Sequence, residues 1–285
     1  MDFTVSLYRE FLDSLKPGGY NILTFGQVLS LPSDQLESSK FIILRHDVDL
    51  LPENSLYFAR LQHSLGIKAT YFFRIVPESF DEQVIRTIAG LGHEIGYHYE
   101  DMDLCNGDAD KAIQSFEKNL KKLRALAPVS TICMHGSPRS PYDNRDLWKK
   151  YSYRDFGLSG EPYFDLDFTR MAYYTDTGRR WDGHRFSVRD KEYITANTKE
   201  KDDLSSHSRS SDPHTRNPQP VTRNIFPSFH STFDLIAALH SGTFPSAAML
   251  TFHPQRWTNR PLPWLRELLW QNTKNVVKYF VIKWS

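Results

Sequence analysis

Several things are scarce in this chain, and each scarcity excludes something. Two cysteines in 285 residues, Cys105 and Cys133, cannot build a disulfide framework. Both sit inside or beside periodic segments and read as buried thiols of a reducing compartment. Neither sign of charge is in excess: 35 basic residues face 34 acidic ones, so no polyanion-binding field is implied and nucleic acid is not an expected partner. No stretch approaches the roughly 18 consecutive apolar residues that a membrane-spanning helix needs. The first twenty residues carry acids at Asp2, Glu10 and Asp13 and have no basic segment leading into an apolar one, so they do not read as a signal peptide. The expectation is a soluble, cytoplasmic protein. Internal repeats and a glycine-rich phosphate loop are also missing.

What the chain does have is alternation. Helical spacing at 3–15, 53–65, 81–91 and 108–126 alternates with short apolar runs at 41–45, 69–73, 94–98 and 129–134. Lys16-Pro17-Gly18-Gly19, Gly66, Gly92 and Pro128 terminate the helices. Strands separated by helices of this length pair in parallel through crossovers. Beyond residue 150, Tyr163–Asp167, Met171–Thr175 and Ala247–Phe252 read as strands, and 232–241 and 262–284 as helices. Residues 190–224 are polar, rich in Ser, Asp, Lys and Pro, and read as a surface insertion within one domain spanning 1–285. Residues 1–40 form an N-terminal helix and loop ahead of it.

The polar residues fall in a pattern. FIILRHDVDL (41–50) places His46, Asp47 and Asp49 directly after four apolar residues. Arg74 closes the second strand, His98 and Glu100 the third, His135 the fourth and His253 the last. In parallel α/β proteins that C-terminal edge is where active sites are assembled. Residues two apart in extended chain share a face, so Asp47 and Asp49 can address one point. The plain alternative is helix capping by Asp49 or Asn54. Caps favour Ser, Asn and Asp, however, and do not explain histidines at four strand ends; the clustering points to a metal-assisted active site.

RHDVD (45–49), GHEIGYHYED (92–101), RSPY (139–142) and LTFHP (250–254) resemble the polysaccharide deacetylase family, the NodB-homology carbohydrate esterases, and within it the subgroup found with O-antigen and surface-polysaccharide genes. The resemblance implies an α/β fold, a distorted, incomplete (β/α) barrel, with a divalent metal at the C-terminal strand edge. It places the general base on Asp47 and the late catalytic histidine on His253. Asp49 is the implied metal aspartate, because Val48 stands where the family's usual second aspartate would be. His98 is the first metal histidine. The position of the second falls on Met102, which is not a normal ligand, so Glu100 is the expected substitute, with Asp101 or His135 behind it. The arginine motif falls on Arg139 and Tyr142, implying that Arg139 orients Asp47 and that the Tyr142 N–H faces an oxyanion. His46 is expected to orient a carboxylate, Arg74 to pair with Asp47 or Glu100, and His135 to be a ligand, a substrate contact or a loop stabiliser. Trp181-Asp182 matches the family's tryptophan–aspartate support or is only a turn. Trp257 is a candidate sugar platform, and His93 reads as a structural hydrogen-bonder.

The function so implied is metal-dependent removal of an N-acetyl group from an amino sugar in surface-polysaccharide biosynthesis. The cofactor would be zinc, with manganese, iron or cobalt as alternatives. The substrate would be a small-molecule or lipid-linked N-acetylated sugar. The rival readings are hydrolysis of another non-peptide C–N bond, and a metal-free pseudoenzyme that only binds a glycan or an enzyme partner.

Overall fold

The computed structural model describes residues 1–137, 140–182 and 226–284, with 274–284 as backbone only. Phe41–Val48 (β2) is its central strand, and all eight residues are buried. Seven strands form one sheet in the order β5-β4-β3-β2-β7-β6, with β1 (Asn21–Leu23) paired to the first half of β2. The others are β3 (Thr70–Phe73), β4 (Glu94–Tyr99), β5 (Ile132–Met134), β6 (Ala172–Thr175) and β7 (Ala247–Phe252). Every pairing is parallel.

Read as a cycle, that order is 2-3-4-5, a gap, then 6-7 and back to 2. This is the succession of a (β/α) barrel interrupted between β5 and β6. The gap is lined by irregular chain: Ser159 N donates to Ser130 O at 2.7 Å, Ile132 N to Gly160 O at 3.1 Å, and Met134 N to the buried Glu161 carboxylate at 3.1 Å. The free edge of β5 is thereby satisfied without another strand. Segment 163–167 is not the expected strand. Pro162–Asp165 is a short helix with Pro162 in its first turn and Glu161 as its cap, the start signal that proline at this position gives.

Helices α1 (Val5–Leu15), α2 (Phe25–Ser30), α3 (Ser33–Glu37), α4 (Pro52–Ser64), α5 (Glu82–Gly90), α6 (Asp101–Leu104) and α7 (Ala109–Arg124) precede that turn, which is α8; α9 (Thr232–Ser241) and α10 (Pro261–Trp284) follow it. The expected boundaries hold within a few residues. The three-residue β1 and the four-residue α6 are too short to leave a periodic trace. No described helix is long and apolar enough to cross a membrane.

The period of two in β2 sorts its side chains onto two faces. Ile42, Leu44 and Val48 pack with helix residues such as Tyr8, Phe58 and Ala59. Phe41 and Ile43 pack inside the curl with Phe72, Cys133 and Met249, and Phe25 and Val28 of α2 plug its lower end. Phe72 crosses the interior over Gly96, where any Cβ would overlap its ring; only glycine fits in GHEIGYH. Arg45 and Asp47 continue the inward-facing series upward, so the interior turns from apolar to charged along one strand.

Candidate metal centre

Asp47 and Arg45 are both almost fully buried, which for an isolated carboxylate or guanidinium would cost several kcal/mol. They offset it by pairing side by side: Arg45 Nε donates to Asp47 Oδ1 at 2.8 Å and Nη2 to Oδ2 at 2.7 Å. Burial pushes the Asp47 pKa up, but Arg45, with His98 and His253, outweighs it and holds Asp47 below its ordinary value. The expected orienting residue, Arg139, lies outside the described residues, and Arg45 already fills that role from the same face of the same strand. The Tyr142 N–H donates to Ser140 Oγ at 3.0 Å within its own turn.

Above this pair three donors converge. His98 Nδ1 donates to the Cys133 carbonyl at 2.9 Å, which fixes the ring with its Nε2 lone pair toward the cavity. That Nε2 lies 3.6 Å from Asp49 Oδ1 and 3.7 Å from Asp47 Oδ2. His135 Nδ1 lies 3.3 Å from Asp49 Oδ1 and 3.3 Å from His98 Nε2. Asp49, His98 and His135 thus present ligand atoms within 4.8 Å of one another. Burial first, then neighbouring His135, lowers the His98 pKa to about 4 against the pull of Asp47, so the ring is neutral at pH 7, as a metal ligand must be. Burial raises Asp49, but His135, His253 and His98 together hold it well below the carboxylate range. His135 is raised: the nearby Asp49 outweighs its burial.

These residues fit a cation. A tetrahedral ion with bonds of about 2.0–2.1 Å separates its ligands by about 3.4 Å, which is the spacing seen here. Asp49 Oδ1 is buried and has no hydrogen bond of acceptable geometry among the described residues, an acceptor left for something else. No other group of three such donors occurs among the described residues.

Glu100 is not among the donors. Its carboxylate does face the site, with Oε2 3.9 Å from His135 Nε2, but both of its oxygens are engaged elsewhere. They form a two-pronged pair with Arg74, at 2.8 Å for each prong. Arg74 then reaches the Asp49 carbonyl at 3.1 Å, so Glu100 supports the site through Arg74. Asp101 turns away to Tyr97, Ser115 and Asn119. His46 hydrogen-bonds no carboxylate among the described residues. It faces the helices, its Nδ1 donating to Thr70 O at 3.3 Å and its Nε2 lying 3.1 Å from both Tyr8 and Gln62, between the rings of Tyr71 and Phe252. His93 is the structural hydrogen-bonder expected, joining Ala69 N to Ala59 O.

His253 reaches the same cavity from β7, its Nε2 3.8 Å from Asp49 Oδ2. Its Nδ1 bonds Asp176 Oδ1 at 2.5 Å. Asp176 is a fully buried carboxylate that also accepts from the His253 N–H at 2.9 Å, Arg256 Nη1 at 3.0 Å and Trp257 Nε1 at 2.8 Å. Burial raises its pKa, and His253 and Arg256 more than reverse that. Asp176 is a site residue missing from the polar series noted at the strand ends. The signal was present, because Asp176 immediately follows β6 at the edge where the other strands carry their polar residues. Trp257, 1% exposed and bonded to Asp176, is a wall of this pocket and not a sugar platform. Trp181 is buried too and donates to Thr232, while Asp182 pairs with Arg180.

Fold and site together define an interrupted (β/α) barrel with an Asp–His–His donor set at its C-terminal rim, flanked by a buried Asp–Arg pair and a buried Asp–His pair. No protein-family model matches the chain. No curated protein matches it. Among solved structures it is similar to a CE4 family pseudoenzyme from Bacillus anthracis, with 13% identity, TM-score 0.40, and coverage of 85% of this chain and 62% of that one. It is also similar to a family 4 carbohydrate esterase from Bacillus anthracis (17% identity, TM-score 0.32, 56% of this chain and 71% of that one). The peptidoglycan deacetylase PdaC from Bacillus subtilis superposes at 13% identity and TM-score 0.33, over 87% of this chain and 98% of that one. The chain spans less than two thirds of the first of these. At such identities and scores none of them bears on what this chain does.

Proposed function

We propose that this chain is a metal-dependent N-deacetylase acting on an acetylated amino sugar. The supporting observation is the convergence of Asp49, His98 and His135 beside two differently supported groups, Asp47 on Arg45 and His253 on Asp176. Asp49 Oδ1, His98 Nε2 and His135 Nδ1 would hold the ion. When bound, a divalent cation supplies Lewis acidity, which polarises an acyl oxygen and eases the ionisation of water. Asp47, kept ionised by Arg45, takes the proton from the attacking water. His253 hands a proton from Nε2 to the departing amine while Asp176 holds Nδ1 and the ring plane. The C–N bond breaks, and acetate and the free amine leave. A sugar intermediate of surface-polysaccharide synthesis, small or lipid-linked, is the substrate class we favour.

The test is acetate release from N-acetylated sugars by the zinc-loaded chain and by Asp47→Asn. Loss of a proton acceptor should lower turnover by about 10²–10⁴ while the variant still binds zinc. Full activity in Asp47→Asn, or no acetate from any acetylated amino sugar, would overturn the reading.

A further inference from the structure

After β7 the chain makes a tight turn, Pro254–Arg256, whose side chains go two ways. His253, Arg256 and Trp257 turn to Asp176, as described above. Gln255 turns to Asp49: its Nε2 donates to Asp49 Oδ2 at 3.3 Å. A carboxylate only accepts, so the amide's orientation is fixed with its nitrogen toward Asp49.

The two oxygens of Asp49 therefore stand in different surroundings. Oδ2 faces Gln255 and, at 3.8 Å, His253 Nε2. Oδ1, which has no hydrogen bond of acceptable geometry among the described residues, faces His98 and His135. The backbone beneath is pinned separately, by Arg74 on the Asp49 carbonyl. With the backbone fixed, the side chain keeps two rotations, about Cα–Cβ and Cβ–Cγ, and the second would exchange the oxygens or present both to the imidazoles.

We propose that Gln255 is a positioning residue for the cation site: by holding Oδ2 it makes Asp49 a one-oxygen ligand through Oδ1. This rests on the cation reading above. A ligand held to one oxygen leaves more of the ion's coordination sphere for water and substrate, as a catalytic site requires. Partners of this kind are worth about 10–100-fold in metal affinity. Asn54 braces the same turn independently, its Nδ2 donating to Pro254 O at 3.3 Å, so holding the turn and holding Asp49 can be separated.

The experiment titrates zinc against a competing chelator with the full metal-free chain. Gln255→Met, of similar size and without a donor, should bind zinc about 10–100-fold more weakly. Its metal-free melting temperature should match wild type, and Asn54→Ala should bind zinc as wild type does. Should the Met variant not fold, Gln255→Asn withdraws the amide by one methylene and is read the same way. Wild-type affinity in the Gln255 variant overturns the proposal alone, as does an equal loss in Asn54→Ala. Zinc binding by neither variant nor wild type overturns it together with the cation reading.

Discussion

The two ends of the barrel carry similar residues and treat them differently. At the lower end Glu94, the first residue of β4, accepts from Gly26 N–H at 3.0 Å, Thr70 Oγ1 at 2.8 Å and Thr131 Oγ1 at 2.5 Å. Phe25 N–H adds a bond to Thr70 Oγ1, so the amino end of α2 is stitched into the sheet and the barrel is closed there. At the upper end Asp49 keeps one buried oxygen without a well-formed hydrogen bond among the described residues, facing two imidazole nitrogens. Both carboxylates sit at strand ends among polar neighbours. What separates structure from chemistry is whether the acceptor capacity is used up.

The comparison breaks if the lower end also matters to the ion. Glu94→Ala strands two buried hydroxyls that lose an acceptor at about 1–3 kcal/mol each, so it should destabilise the fold by about 3 kcal/mol and leave zinc affinity unchanged. Urea unfolding and zinc titration of the same variant measure both; a loss of zinc binding without loss of stability would refute the division.

A smaller effect sharpens the same contrast among histidines. Burial, reinforced by His93, lowers the His46 pKa from 6.5 to about 3, and both of its nitrogens are bonded inside the protein. The folded state therefore keeps His46 neutral while the unfolded chain protonates it. Its contribution is whole above pH 6.5 and is lost as pH falls from there toward 3, at about 1.4 kcal/mol per pH unit. His93, lowered to about 4, acts with the same sign. Urea midpoints of His46→Gln between pH 7 and 5 should fall less steeply than those of wild type; an unchanged slope would show that His46 is not held neutral.

Much of this was legible in the sequence because it depends on period. The strand ends and their polar residues follow from apolar runs meeting helix starts, and the opposed faces of His46 and Asp47 from alternation. Arg45 beside Asp47 obeys the same period of two, yet the family resemblance drew attention to Arg139 instead. Glu100 misled because its period of two does bring it to the rim, but Arg74 from the neighbouring strand end takes both of its oxygens, a pairing that no local pattern states. Which imidazole completes the donor set depends on how β4 and β5 are paired: the register His98↔Cys133 brings His135 alongside, and no local pattern states that register. Gln255 and Asp49 meet across 206 residues by the same kind of tertiary accident.

The central claim is tested most directly by counting zinc in purified protein after dialysis, for wild type, His135→Ala and Glu100→Gln. The account predicts about one ion per chain in wild type and in Glu100→Gln, and none in His135→Ala. Zinc retained without His135 and lost without the Glu100 carboxylate would contradict it.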